Sequence, residues 1–159
     1  MSFRELSRKK QQLSREECIE ILMSEPRGVL SVNGDDGYPY GFPIDHWYCP
    51  RDGKIYFHSG KLGHKLDAIK NNDKVSFCVC DKGSRKDGDW ALYVKSVIIF
   101  GRIRIIDEPE RAIEITRQLS YKYTSDACYI EDEIRKYSSG VLVLELSVEH
   151  MTGKLVHEA

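Results

Sequence analysis

Polar and basic side chains that could hold an anion are concentrated in the segment from Tyr56 to Asn72, YFHSGKLGHKLDAIKNN. The pattern predicts a strand that ends at His58 and Ser59, a loop broken by glycines, and a helix that begins at His64 and Lys65. The first turn of a helix presents unpaired N–H donors and a partial positive charge, and a lysine there adds a full positive charge. We therefore predict that this junction binds the phosphate of a nucleotide.

Two residues of the segment also permit a simpler interpretation. Gly63 is common in plain turns, and Lys65 is a typical solvated charge on a helix. Because the local pattern leaves both interpretations open, the elements around the segment have to decide between them.

The chain begins with one predicted helix. The residues Ser14-Arg-Glu-Glu17 have the pattern of a capping box, and helical apolar spacing follows until Pro26 and Gly28. These signals place a helix over about 15–24.

Strand patterns follow from Gly28 onward. In chain order they are GVLSV, YPYGFPIDHWY, KIYFHS, KVSFCVCD and WALYVKSVIIFGRIRIID, and GVLVLELSVEHM comes last. Pro39 and Pro43 cannot donate ladder hydrogen bonds, so the second strand is expected at a sheet edge, at a bulge, or where its backbone faces a ligand or a second subunit. Gly101 is expected to bend the long fifth strand.

Helical patterns interrupt the strands at two places. HKLDAIKNN, with Leu66 and Ile69 facing inward, separates the third strand from the fourth. A longer helix with Pro109 in its first turn, followed by a weaker helical stretch, precedes the last strand.

The order of these elements predicts a mainly β (α+β) fold, with about six antiparallel strands in a Greek-key-like barrel and helices at its periphery. A Rossmann fold is not expected, because GxGxxG and regular βαβ alternation are both missing from the sequence. We predict one domain over 1–159, in which 1–27 is an N-terminal helical segment, 28–106 holds the main barrel strands, 107–139 is a helical insertion, and 140–159 is the last strand and tail.

The charge balance argues against two classes of partner. The chain has 24 Lys and Arg against 25 Asp and Glu, a net charge of -1, and the two signs are interspersed, so no broad basic surface is available for nucleic acid. No apolar run approaches the roughly 18 residues that span a bilayer, and the first residues lack the apolar core of a signal peptide. We expect a soluble cytoplasmic protein that binds neither nucleic acid nor membrane.

The five cysteines are an odd number at irregular spacing, which argues against a secreted disulfide framework. Cys78 and Cys80 are two positions apart on a predicted strand, so their side chains share a face, where we expect them to be small core residues. The sequence contains neither a CxxC pair nor an HExxH motif, and we predict no metal site.

Four stretches of the chain resemble the split-barrel flavin-binding proteins of the pyridoxamine 5'-phosphate oxidase type, especially the branch of nitroimidazole-resistance proteins. They are GVLSV with GYPYGFPIDHWY, then DGKIYFHSGKLGHKLDAIKNNDKVSF, YVKSVIIFGRIRIID, and VLVLELSVEHMTGK. Together they extend from about Gly28 to Lys154 in the family's order. The resemblance implies a split β-barrel, FMN as cofactor, and a homodimer with FMN at the subunit interface, which would also cover edge strands.

The resemblance also implies roles for the residues of the predicted phosphate site. His58 and Ser59 match positions that lie against the flavin phosphate or ribityl chain. Gly63 lies in the loop that follows, and His64 and Lys65 match a phosphate-binding basic pair, which is Arg-Lys in the oxidases proper.

Further positions extend the implied site to the flavin ring. Pro43, Ile44 and Asp45 match the strand whose backbone runs beside the isoalloxazine ring, and Ser96 matches a polar ring contact. Ile44 is equally well interpreted as a core residue.

The function implied by the resemblance is a flavin-dependent oxidoreductase that reduces a small-molecule acceptor such as a nitro-aromatic, with His58 as the candidate catalytic residue near the flavin or substrate. Oxidation of pyridoxamine phosphate is not expected, because the chain ends in MTGKLVHEA without the Trp and Arg arrangement that grips that substrate. Two alternatives stay open. One is a flavin-binding carrier or sensor without efficient catalysis. The other is a haem or deazaflavin binder on the same barrel, with His46, His58, His64 and His150 as candidate haem ligands.

Overall fold

Seven strands and four α-helices form the part of the chain that the computed structural model describes, residues 2–158. The helices are α1 (Arg15–Ser24), α2 (His64–Asn71), α3 (Pro109–Tyr121) and α4 (Ala127–Tyr137). The strands are β1 (Arg27–Asn33), β2 (Pro39–Asp45), β3 (Trp47–Cys49), β4 (Lys54–Gly60), β5 (Lys74–Cys80), β6 (Leu92–Ile105) and β7 (Val141–Glu158). Among these described helices, none is long and apolar enough to cross a membrane.

The strands form one antiparallel sheet in the order β2-β1-β5-β6-β7-β4-β3. β2 and β3 lie at opposite edges of this sheet, although His46 alone separates them in the chain. The sheet must therefore curl until its two edges meet at His46, and we call the line where they meet the seam. This arrangement confirms the predicted mainly β split barrel with peripheral helices.

The sheet has seven strands rather than six because the predicted strand YPYGFPIDHWY is broken at His46. The backbone N–H of His46 donates to the hydroxyl of Tyr123 at 2.9 Å instead of to a neighbouring strand. The chain then crosses from β2 on one edge to β3 on the other. β2 is an edge strand, as Pro39 and Pro43 predicted.

α1 packs against the core of the barrel. Ser14 and Glu17 form the predicted capping box, in which each side chain accepts a hydrogen bond from the backbone N–H of the other. Cys18 and Leu22 are buried. Gly153 on β7 permits this close packing, because a Cβ atom there would lie 2.3 Å from the sulfur of Cys18.

Inward-facing side chains from the strands fill the barrel with one apolar cluster that includes Leu30, Phe57 and Phe77. Their removal from water supplies the main driving force for folding. α2 adds Leu66 and Ile69 to this cluster, as predicted. These two anchors orient the helix and so fix the position of its first turn.

The pairing of β6 with β7 contains one β-bulge. Phe100 pairs with His150 and Gly101 pairs with Val148, so Glu149 is an extra residue on β7. This register shift lies at Gly101, where the sequence predicted a bend in the long strand.

The outer face of the sheet is covered on one side of the bulge and uncovered on the other. On the covered side, α3 packs over β4 and the first half of β7, and Tyr56 and Val143 are buried there with Ile115. On the other side, outward side chains of β1, β5 and the first half of β6 stay exposed, among them Val29 and Ile98. We call this second region the uncovered face.

Cys78 and Cys80 share a face of β5, as predicted, but the expectation that they are core residues is wrong. Both belong to the uncovered face and are exposed. Val75, Phe77 and Val79 are the residues that β5 contributes to the core. The alternation of the strand places the two cysteines on the opposite side.

A buried carboxylate joins three strands to α3. Glu145 of β7 is fully buried, and its oxygens accept hydrogen bonds from Lys54 at 3.0 Å, Arg104 at 2.8 Å, the hydroxyl of Tyr56 at 3.1 Å, and Arg111 of α3. Burial by itself raises the pKa of Glu145, but the hydrogen bonds from Arg104, Lys54 and Arg111 outweigh it and lower the pKa to about 2.

Candidate functional site

The first turn of α2 has the geometry of an anion site. Gly63 is the N-cap residue, with a φ of 132° that favours glycine, and it offers no side chain to the N–H groups of the helix. Lys65 is half-buried in the same turn. Free N–H donors and an adjacent cation are the two features by which helix N-termini hold phosphate.

The edge strand β2 supports the basic pair of this turn. The imidazole of His64 stacks on Tyr40 with ring centroids 4.3 Å apart, and Nζ of Lys65 lies 5.3 Å from the ring centroid of Phe42. Asp35 Oδ2 lies 3.6 Å from Nε2 of His64. The structure thus brings His64 and Lys65 together with β2, which the sequence had implicated only through the resemblance.

His58 and Ser59 point to opposite faces of β4. Ser59 is buried on the inner side, and its hydroxyl donates to the carbonyl oxygen of Gly60 at 3.0 Å. His58 is exposed on the outer side, where its neighbour on β7 is Val143. These two predicted contacts therefore face different surroundings.

The predicted ring contacts divide in the same way. Pro43 lies on β2 and Ser96 on β6. The pairing of β2 with β1, of β1 with β5 and of β5 with β6 places both side chains on the outer face of the sheet. The side chain of Ile44 is part of the core, which leaves its backbone as the part that a ligand beside β2 would contact. The carboxylate of Asp45 accepts a hydrogen bond from Nε of Arg27 at 2.7 Å.

A cleft of about 730 Å³ lies between the helix pair α3–α4 and the outer side of β4 and β7. This volume is typical of small-molecule sites. Its walls are mainly apolar and include Ile113 of α3 and Ile134 of α4. His58 and Lys61 line the same cleft, so the loop between β4 and α2 connects the cleft to the first turn of α2.

His58 is uncharged at neutral pH. Desolvation by the surrounding protein lowers its pKa, and the nearby carboxylate of Asp45 offsets part of this effect. The charge of Asp45 also acts on Tyr123, another residue that lines the cleft. The end of β2 therefore approaches the cleft, and the neutral imidazole has one donor and one acceptor nitrogen to offer a ligand.

A hydrogen-bonded cluster fills the seam. His46 is fully buried, and its Nε2 donates to the carbonyl oxygen of Leu22 at 2.8 Å. The ammonium group of Lys122 donates to the carbonyl oxygens of Leu22, Glu25 and His46 at 3.1, 2.7 and 2.9 Å. Burial, assisted by the charge of Lys122, lowers the pKa of His46 to about 4, so the ring is neutral. The cluster ties α3 to α1 and to the junction of β2 and β3.

The histidines considered as haem ligands are dispersed over the structure. His46 uses Nε2 in the seam, His64 stacks on Tyr40, and His150 stacks on Phe3 with ring centroids 4.8 Å apart. Within residues 2–158, no group of three or more His, Cys, Asp or Glu side chains is arranged to hold a metal ion.

Sequence reasoning missed the cleft and the residues of α4 that form it. Ile130, Ile134 and Tyr137 recur at helical spacing in a stretch that was predicted only as a weak helix. All three line the cleft. The spacing was a usable signal for an apolar helix face, but the sequence did not indicate which surface that face would cover.

The chain matches the protein family described as pyridoxamine 5'-phosphate oxidase over residues 14–155. Among curated proteins, no significant sequence match was found.

Solved structures share the fold. A "putative 5-nitroimidazole antibiotic resistance protein" from Bacteroides thetaiotaomicron VPI-5482 is 19% identical and aligns over 92% of this chain and 87% of its own, with a TM-score of 0.78. A FAD and heme binding protein from Mycobacterium smegmatis is 20% identical over 92% of this chain and 73% of its own, with a TM-score of 0.73. A FAD-binding protein from Mesorhizobium loti is 22% identical over 92% of this chain and 97% of its own, with a TM-score of 0.64.

Proposed function

Because the chain belongs to the pyridoxamine 5'-phosphate oxidase family, we propose that it binds FMN and reduces a small-molecule acceptor. The observation that carries this proposal is the first turn of α2, where Gly63 provides no capping side chain to the helix N–H groups and Lys65 lies in the same turn. A phosphate dianion is the ligand that this combination of donors and charge suits best.

The residues around this turn fit the rest of the cofactor. β2 is an edge strand, so it has backbone groups free to contact a ring that lies along Pro43 to Asp45. Ser96 faces outward on β6, on the same side of the sheet as Pro43. The proposed ring position therefore follows β2 from the phosphate at α2 toward the mouth of the cleft.

The chemistry that a bound flavin would supply is two-electron transfer between a nicotinamide donor and an acceptor such as a nitro-aromatic. The role of the protein would be to bind the cofactor and to orient it. Lys65 and the first N–H groups of α2 would hold the phosphate, β2 would position the ring, and His58 would present a neutral imidazole to the ligand beside it.

Removal of the positive charge at position 65 tests the phosphate site. We expect Lys65→Ala to weaken FMN binding by about 1 to 3 kcal/mol, the range of a hydrogen bond to a charged group. The dissociation constant can be measured from the quenching of flavin fluorescence. Lys70→Ala on the exposed side of the same helix removes the same charge away from the first turn and should leave the affinity unchanged. Equal affinities for the Lys65 variant and the unaltered protein would place the phosphate elsewhere.

A haem protein is the second candidate, because one structure with this fold is a FAD and heme binding protein. The commitment of His46 Nε2 to the carbonyl oxygen of Leu22 favours flavin over haem here. The visible spectrum of the purified protein separates the two, since flavin bands support our proposal and a Soret band contradicts it. A flavin-loaded protein without turnover of NAD(P)H across a panel of acceptors would instead be a carrier or sensor.

We also propose a homodimer in which the uncovered face is the interface. Val29, Ile98 and Phe100 on this face are each more than 40% exposed, and apolar patches of this kind commonly mark interfaces. Pro43 and Ser96 face the same side, so a flavin ring at these residues would lie at the interface.

Introduction of a charge into the uncovered face tests the dimer. Ile98→Glu should convert a dimer into a monomer, because two carboxylates would be buried without partners. The mass in solution can be measured by light scattering. Met23→Glu, at an exposed apolar residue of α1, is the matched control and should stay dimeric. A monomeric unaltered protein, or a dimeric Ile98 variant, would contradict this interface.

A further inference from the structure

We propose that the cleft beneath α3 and α4 binds the small-molecule partner of the flavin site, and that this partner is an uncharged, planar aromatic molecule whose polar group is held by His58. This assignment rests on the flavin-binding function proposed above. It concerns residues of α3 and α4 that the predicted cofactor site does not include.

The lining of the cleft selects an apolar ligand. Buried residues that line it, such as Ile106, Ile130 and Val143, are at most 4% exposed and carry no polar side-chain atoms. Burying a ligand against such a surface is favourable in proportion to the apolar area removed from water. The tyrosines that line the cleft, Tyr123, Tyr129 and Tyr137, favour a flat aromatic partner, since aromatic rings stack or meet edge to face.

The charges around the cleft favour a neutral ligand. Lys61, Asp107 and Glu133 are the charged lining residues, and each keeps contact with solvent. His58 adds no charge at neutral pH, because desolvation lowers its pKa. A charged molecule in the apolar interior would therefore lose its hydration without gaining a buried partner.

The position of the cleft connects it to the proposed flavin. His58 lies two residues before Gly60, where the loop to the first turn of α2 begins, and Lys61 belongs to that loop. At the other end, the carboxylate of Asp45 is close enough to act on both His58 and Tyr123. A ligand bound at His58 would thus lie beside the end of β2, where we place the flavin ring.

The class of ligand can be tested on the unaltered protein. N-phenyl-1-naphthylamine is uncharged and fluoresces more strongly in an apolar site, whereas 1-anilinonaphthalene-8-sulfonate has a similar ring system with a negative charge. We expect the neutral probe to bind more than about tenfold more tightly than the sulfonate. Equal binding, or tighter binding of the sulfonate, would overturn the proposed ligand class.

The location is tested by filling the cleft from either helix. Ile134→Trp on α4 should weaken binding of N-phenyl-1-naphthylamine by more than about tenfold, and Ile113→Trp on α3 should do the same. Lys136→Trp adds the same ring on the exposed side of α4 and should change binding by less than about twofold. Undiminished binding in either folded cleft variant, established by near-ultraviolet circular dichroism, would overturn the location.

FMN affinity, measured in parallel, separates this inference from the function on which it rests. Both cleft variants should bind FMN as tightly as the unaltered protein does. If FMN fails to bind the unaltered protein while the neutral probe still responds to the cleft variants, the flavin function is wrong and the cleft's role as its partner site falls with it. If FMN binds the unaltered protein and the affinity for the neutral probe is the same in the cleft variants, only the inference about the cleft is wrong.

Discussion

We expect replacement of Glu145 by glutamine to lower the free energy of unfolding by about 3 kcal/mol. Glutamine has the same shape but no charge, so Lys54, Arg104 and Arg111 lose the carboxylate that they share. Because these cations are each partly exposed, water can solvate them in part after the carboxylate is removed. The loss of stability is therefore expected at the lower end of the range for broken buried ion pairs. Urea denaturation followed by circular dichroism measures the change.

Glu149→Gln is the matched control for this substitution. Glu149 lies on the same strand and accepts a hydrogen bond from Arg102 at 2.8 Å, but both side chains are substantially exposed. Exposed pairs contribute little, so we expect a change below about 1 kcal/mol. Similar losses for the two variants would show that burial of Glu145 adds nothing to its interactions.

The pH dependence of stability provides an independent measurement of the same carboxylate. The pKa of Glu145 is about 2 in the folded protein, below the value of 4.5 for an unperturbed glutamate, so its contribution is fully present above pH 4.5. The contribution is lost as the pH falls from 4.5 toward 2, because the unfolded chain then binds the proton more readily. The difference in stability between the unaltered protein and Glu145→Gln should therefore shrink over this window, and a constant difference would contradict the assignment.

Gly101→Ala is expected to destabilise the protein by about 2 to 3 kcal/mol, since overpacking against a rigid group costs energy of this order. A Cβ atom at this position would lie 2.1 Å from the carbonyl oxygen of Ser147. The obstructing atom belongs to the backbone of β7, so relief requires the bulge itself to shift. The melting temperature and the urea midpoint should both fall.

Gly140→Ala controls for the general effect of replacing glycine. A Cβ atom at Gly140 would have no heavy atom within 4 Å, and Gly140 has no positive φ. Its substitution should alter stability by no more than about 0.5 kcal/mol. A loss as large as that of the Gly101 variant would show that the close approach to Ser147 is not the cause.

The features that the sequence predicted correctly are those set by neighbouring residues. The capping box of Ser14 and Glu17 and the edge position of β2 each follow from the local chemistry of one or two residues. The glycine and the lysine at the start of α2, on which the proposed anion site depends, are visible in the sequence for the same reason.

The features that were missed depend on contacts between distant parts of the chain. The alternation of YPYGFPIDHWY runs on through His46. At the break, the backbone N–H of His46 donates to the hydroxyl of Tyr123 and its carbonyl oxygen accepts from Lys122, both more than 70 residues away. Glu145 occupies an outward position on β7, where a charge is normally solvated, and its burial requires α3 to pack above it. The cleft likewise arises from the way α4 packs, which helical spacing alone does not specify.

The extra residue Glu149 reverses which residues of β7, even-numbered or odd-numbered, face the core. Before it, even-numbered residues such as Leu144 and Leu146 face the core, whereas after it odd-numbered ones such as Met151 and Gly153 do. A single strand can in this way keep Glu145 beneath α3 and still turn His150 toward the uncovered face. Any insertion or deletion of one residue between these two positions would exchange inside for outside along half of the strand. The number of residues in this stretch, more than their identity, therefore determines which side chains of β7 face the core and which face outward.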